Sequence, residues 1–132
     1  MMEARLISPN DLRQWWRFVR PGLENILHKT PEGWIPEDVY TDCFNGKSML
    51  WVGLVDARPV GFMVLQPRGS SLHVWCAHLQ EVGYFEEGWQ HLLNIAQRGN
   101  AEKLTFESWR PGWERRAKRL GFKPRSWALE VI

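Results

Sequence analysis

Apolar positions along this chain alternate between two spacings, and the points where the spacing changes mark its elements. A short apolar stretch over 4–7 reads as a first strand, and Ser8-Pro9 after it as a helix N-cap with proline in the first helical position. Leu12, Trp15, Trp16 and Val19 recur at helical spacing. Pro21-Gly22 interrupts them before Leu23, Ile26 and Leu27 resume the pattern, which predicts a bent or split helix. Residues 30–35 read as a loop. Pro36-Glu37-Asp38 then opens another short helix with carboxylates in its first turn, and Gly46 closes it.

From there the period shortens to that of strands. Residues 48–55 and 60–66 form two strands joined by Asp56-Ala57-Arg58-Pro59, a connection of hairpin length, and a turn over 67–71 leads to a third strand over 72–79. At Tyr84 the helical period returns: Phe85, Trp89, Leu92, Leu93 and Ala96 share one face, and Gly99 stops the run. Residues 103–108 are a strand reached by a helical crossover, so they should lie parallel to 72–79. Trp113, Ala117 and Leu120 mark a last short helix ended by Gly121, and 126–132 reads as a final strand. The expected class is α/β (α+β): a mixed, mostly antiparallel sheet of about six strands with helices on both faces. The expected order is β-α-α-β-β-β-α-β-α-β within one domain over 1–132.

Composition adds one unusual feature. Nine tryptophans in 132 residues are a heavy load, and most should serve the core. Trp109 and Trp113 stand among Arg110, Arg115 and Arg116 and are the ones suited to an exposed face at a partner surface. The net charge of +2 is too small to demand a polyanion, yet it is unevenly spread: 98–125 carries +6 and the remainder −4. With no secretory signal in residues 1–10 and no long apolar run, a reduced cytoplasmic setting away from membranes is expected.

Two segments carry a family resemblance. Residues 113–124, WERRAKRLGFKP, and residues 101–108, AEKLTFES, resemble the late helix with its leucine-glycine-phenylalanine exit and the preceding strand of the GNAT superfamily of N-acetyltransferases. The order of elements is similar along nearly the whole chain. The resemblance implies a coenzyme A diphosphate held on backbone amides where the central helix begins, in an Arg/Gln-x-x-Gly-x-Gly/Ala loop. Glycine lets the backbone approach the anion, and the helix start supplies N–H donors. With Leu92-Leu93 in the family's leucine pair, Tyr84 falls in the Arg/Gln slot, Glu87 in the first glycine slot and Trp89 in the last. A helix terminus favours an anion by about 0.3–1 kcal/mol, whereas a carboxylate about 7 Å from a phosphate costs about 2 kcal/mol at an effective dielectric near 20. The carboxylates Glu86 and Glu87 therefore outweigh the dipole. The family's thiolate-protonating tyrosine slot holds Ala117, and its asparagine slot falls near Arg110.

The remaining chemistry is sparse. Glu81, His78 and Glu107, with His73, are the candidate bases for a substrate amine, and Gly88, Trp89 and Gln80 are the candidate cofactor contacts. On strict alternation His78 shares a face with Cys76 and Val74 and reads as a packed histidine. Cys76 beside His78 lacks an orienting third group, and no metal-ligand spacing occurs among the histidines and cysteines. Trp109, Arg110, Trp113, Arg115, Arg116 and Arg119 form the candidate partner-binding set, with a protein favoured over nucleic acid. The expectation is a GNAT-like protein whose acyl-CoA site is degraded, that needs no cofactor and that acts by binding a protein. The Ser-Trp-Arg-Pro-Gly-Trp context at 108–113 also resembles small GNAT-like proteins encoded among tailed-phage structural genes, which implies a virion or assembly accessory with virion components as partners. The alternative is an active N-acetyltransferase using acetyl-CoA, with its pantetheine arm between the strands at 72–79 and 103–108.

Overall fold

The computed structural model describes residues 1–30, 32–108, 113–125, 128, 129 and 131. Strand β1 (Glu3–Ile7) leads through one 3-10 turn at Pro9–Asp11 into helix α1 (Leu12–Lys29), and α2 (Pro36–Phe44) follows. Strands β2 (Met49–Val55), β3 (Arg58–Arg68) and β4 (Ser71–Leu79) come next. After them stand α3 (Phe85–Arg98), β5 (Lys103–Phe106) and α4 (Trp113–Leu120). The strands lie side by side in the order β1-β2-β3-β4-β5. The first three pairings are antiparallel and β4 pairs β5 in parallel, as a helical crossover requires.

Five strands, not six, form the sheet among the described residues. Ala128, Leu129 and Val131 lie outside it and are exposed, while the rest of the expected last strand, Ser126, Trp127, Glu130 and Ile132, falls outside the described residues. The sheet sorts the apolar residues between its faces. Leu50, Val52, Leu54, Phe62, Val64 and Cys76 meet Leu12, Val19 and Leu23 of α1 and Val39 and Cys43 of α2. Leu65 and Leu72 meet Leu92 and Ala96 of α3 on the opposite face, and Met2, Val55 and Val60 form a smaller cluster under Tyr84. Each fully buried leucine or valine contributes about 1.5–3 kcal/mol, so α1, with Leu12, Val19 and Leu23 all sealed, is firmly seated. The seven described tryptophans are all only partly buried, each lying at the edge of the core rather than in its centre.

Three local features differ from the expectations. Helix α1 runs unbroken through Pro21 and Gly22. A methyl group at Gly22 would fall 2.5 Å from the Phe62 ring and 2.9 Å from that of His78, so the glycine serves a close helix-on-sheet approach, not a break. The β2–β3 connection is a two-residue turn, closed by the pair Val55 and Arg58, with φ of +50° at Asp56 and +64° at Ala57. Both positive values are those of a type I′ hairpin, whose twist matches the flanking strands. Finally, β4 bulges. Cys76 pairs with Val64 and Val74 with Leu65, leaving Trp75 as the extra residue. The bulge defeats the strict alternation: Val74 packs on the α3 side, and Cys76 on the α1 side.

Candidate functional site

Strands β4 and β5 stay paired only from Ser71 and Lys103 to Val74 and Phe106, and β4 continues alone to Leu79. The bulge at Trp75 sits where they part. Gln80 donates its backbone N–H to Val60 at 2.9 Å, and the alternation of an antiparallel ladder therefore turns the backbone groups of Ala77 and Leu79 toward the side β5 has left. Ala77 is exposed there. A strand edge with free donors and acceptors can pair with an extended ligand.

The start of α3 stands beside this edge. A 3-10 turn, Val82–Tyr84, runs directly into the helix, so the Tyr84 N–H is bonded to Glu81 and that of Phe85 to Val82. Donors that would meet an anion are thereby partly consumed. The Glu87 carboxylate accepts the backbone N–H of Met2, and His91, one turn on, donates through Nε2 to the Met2 carbonyl at 2.7 Å. These two side chains clip the beginning of β1 to the helix and pull Glu87 toward the chain start. Nothing lies within 4 Å of the space a Cβ on Gly88 would take. The Trp89 ring packs 5.7 Å from that of Phe122.

Helix α4 completes this aromatic cluster. Trp113 lies 6.4 Å from Phe85 and 5.7 Å from Phe106, and Phe106 meets Phe122 edge to face at 4.9 Å. The Arg116 guanidinium stands 4.4 Å above the Phe85 ring centre. The Leu120-Gly121-Phe122 exit is a helix cap: Phe122 N–H bonds to Ala117 and Gly121 N–H to Lys118, with Gly121 at φ +98°. Ala117 thus occupies the cap position that Phe122 folds back upon, a structural role for the residue in the family's tyrosine slot. Arg115 and Arg119 point outward and are exposed; Trp109 and Arg110 lie outside the described residues.

The candidate bases are not gathered in one place. Glu81 holds a two-pronged pair with Arg58, at 3.0 and 2.9 Å, and Arg58 keeps its carboxyl below the usual range. His78 packs on Phe62 at the α1 face; burial, then the Lys29 charge, holds its pKa below the ordinary value. His73 is buried between strands with Nδ1 2.8 Å from the Thr105 hydroxyl, and burial lowers its pKa too. Glu107, just past β5, is exposed, and its charge partly opposes that lowering. Burial pushes the Cys43 thiol up to about 12 and raises the Cys76 thiol as well, which removes the thiolate needed by a nucleophile. No group of three or more metal-ligating side chains occurs among the described residues, and no described helix is long and apolar enough to cross a membrane. Sequence alone missed the Met2–Glu87–His91 clip; the only local trace of it is the i, i+4 spacing of Glu87 and His91.

No family model matches the chain, and no curated protein does. Solved structures do. A probable acetyltransferase superposes with a TM-score of 0.72 at 14% identity, covering 98% of each chain. The ribosomal-protein-alanine N-acetyltransferase of Brucella melitensis biovar Abortus 2308 gives 0.67 at 15% identity, over 100% of this chain and 98% of that one. The PaiA N-acetyltransferase of Thermoplasma acidophilum, in complex with coenzyme A, gives 0.67 at 14%, over 97% and 93%. At such identities the likeness establishes the GNAT-like fold along the whole chain.

Proposed function

We propose that this GNAT-fold protein acts by binding another protein, with the acyl-CoA site of its fold degraded. The observation that carries the reading is the start of α3: where a glycine loop would cradle a diphosphate, Trp89 packs on Phe122 and Glu87 is tied to Met2. A phosphate approaching this turn meets the Glu86 carboxylate, exposed on the helix, and amides already engaged by the 3-10 turn. The partner surface is the outer side of α4, with Arg115, Arg116 and Arg119 as contacts and Trp109 and Arg110 continuing it in sequence; Trp113, expected at that surface, packs inward on Phe85 and Phe106 instead. The resemblance carried by 108–113 supports a virion or assembly accessory as the setting. Calorimetry with acetyl-CoA tests the reading. No micromolar binding is expected, and micromolar binding would sink it.

A specific observation favours a second reading, an N-acyltransferase that takes an acetyl group from acetyl-CoA to an amine. The parting of β4 from β5 after Val74 leaves the free strand edge along which a pantetheine arm could lie. Several structural neighbours are acetyltransferases, one with coenzyme A bound. On this reading the ligand is held by β4 backbone groups instead of a glycine cradle. Substituting Ala77 by proline would remove a donor from that edge and abolish the binding seen in calorimetry.

A further inference from the structure

We propose that the outer side of α4, with the residues just after it, docks an acidic surface of its partner protein; this rests on the binding reading above and specifies the partner's chemistry. Between 113 and 125 the chain carries six cations against one carboxylate. Lys118 pairs with Glu114 at 3.4 Å. Arg115, Arg116, Arg119, Lys123 and Arg125 are exposed and make no ion pair among the described residues. Elsewhere Arg5, Arg20 and Arg58 each hold a carboxylate, while the arginines there without one among the described residues, Arg13, Arg17, Arg68 and Arg98, are spread over α1, β3 and α3 and not gathered on one short helix. Arg115 and Arg119 stand one turn apart, where like charges oppose the helix they sit on. The stripe persists because Trp113 anchors the helix from its inner side, through Phe85 and Phe106.

Arg116 lies on the side of the stripe nearest the aromatic cluster and is already ordered, 4.4 Å over Phe85 and 5.4 Å from Trp113. A guanidinium fixed on aromatic rings loses less freedom when it meets a carboxylate, which is the property of an interface anchor. The borders decide between classes of anion. Glu86 follows Phe85, Glu107 follows Phe106, both are exposed, and Trp113 packs on each of those phenylalanines. A nucleic acid brings negative charge at every step and would be repelled at both borders. A protein surface with aspartates and glutamates at its middle and cations at its margin meets the stripe and the borders together.

The test uses the full chain and two fluorescent probes, a ten-residue glutamate peptide and a 20-base-pair DNA duplex, read by anisotropy from 25 to 200 mM salt. The peptide should bind, weaken at least tenfold across that range, and weaken at least tenfold in the variant Arg115→Glu/Arg116→Glu/Arg119→Glu. Reversal of Arg13 and Arg17, exposed on α1, should change nothing. Arg116→Lys keeps the charge and should still weaken binding. Tighter binding of the duplex than of the peptide at equal salt overturns the proposal in favour of nucleic acid. Binding of neither probe at 25 mM, or unchanged peptide binding in the triple variant, also overturns it. If the triple variant loses its circular dichroism, the single reversals are read instead against the same outcomes. Micromolar acetyl-CoA affinity in the same samples defeats the degraded-site reading separately, whatever the peptide does.

Discussion

Ala57 holds the left-handed backbone conformation, φ +64°, without the glycine that usually fills the second position of a type I′ turn. A side chain there costs about 1–2 kcal/mol, and glycine's extra freedom in the unfolded chain returns part of any gain. Ala57→Gly should therefore stabilise the protein by about 0.5 kcal/mol net, seen as a higher urea midpoint with an unchanged slope. Gly22 presents the opposite balance. Alanine is favoured over glycine inside a helix by about 1 kcal/mol, yet its methyl group would enter the Phe62 ring at 2.5 Å with His78 alongside. Overpacking against the buried Phe62 ring and the half-buried His78 ring costs about 1–3 kcal/mol, so Gly22→Ala should come out destabilising despite its helix propensity. A neutral or higher melting temperature would show that α1 can lift off the sheet freely. The two thiols behave alike: with Cys43 raised to about 12 and Cys76 also raised, neither should react with a disulfide reagent at pH 8 until urea unfolds the chain.

At the scale of elements, α4 depends on its cap. Gly121 stands at φ +98° with open space around its Cα, so alanine would meet no clash and only the conformational penalty, about 1 kcal/mol. Because Phe122 is brought back onto Trp89 and Phe106 by that cap, Gly121→Ala should loosen α4 selectively, raising amide exchange in 113–120 while β2 and β3 stay protected. Elements like this were legible in the sequence because each carries its own period and stop. Leu92 and Ala96 with Gly99 declared α3, and Leu120-Gly121-Phe122 declared the end of α4. What stayed hidden depends on contacts distant in sequence. Val74, Trp75 and Cys76 are all apolar, so their alternation cannot reveal which one a bulge leaves unpaired. Pro21-Gly22 carries the local signature of a break, and only Phe62, forty residues away, explains why the helix needs glycine and continues. Likewise, no local pattern ties Met2 to Glu87 and His91. The candidate site was read from departures at single slots, Glu87, Trp89 and Ala117; in the fold Glu87 accepts the Met2 N–H, Trp89 packs on Phe122, and the Ala117 carbonyl accepts the Phe122 N–H.

For the whole molecule, the two sides of the sheet share a dependence on neutral histidine. His73 sits where β5 is tied to β4 through Thr105, with Arg68 and Glu107 acting on it from β3 and from the end of β5. His78 sits under α1, packed on Phe62, with Lys29 as its charged neighbour. Both have pKa values depressed below the ordinary 6.5 in the folded chain, chiefly by burial. As pH falls through 6.5 the unfolded chain takes up these protons before the folded one does, so the unfolded state is favoured progressively. Their stabilisation is therefore complete above 6.5 and is lost on acidification toward their lower folded values. A second loss begins only near 4.5, where Glu37 and Glu81, held low by Arg20 and Arg58, would be protonated out of their pairs. Urea midpoints from pH 8 to pH 5 should accordingly be level above about 7 and decline below it. In His73→Gln/His78→Gln, which keeps polar side chains at both places, the decline between pH 7 and 5 should flatten. An equal decline in the double variant would mean that other groups carry the acid sensitivity and that neither side of the sheet relies on an uncharged ring.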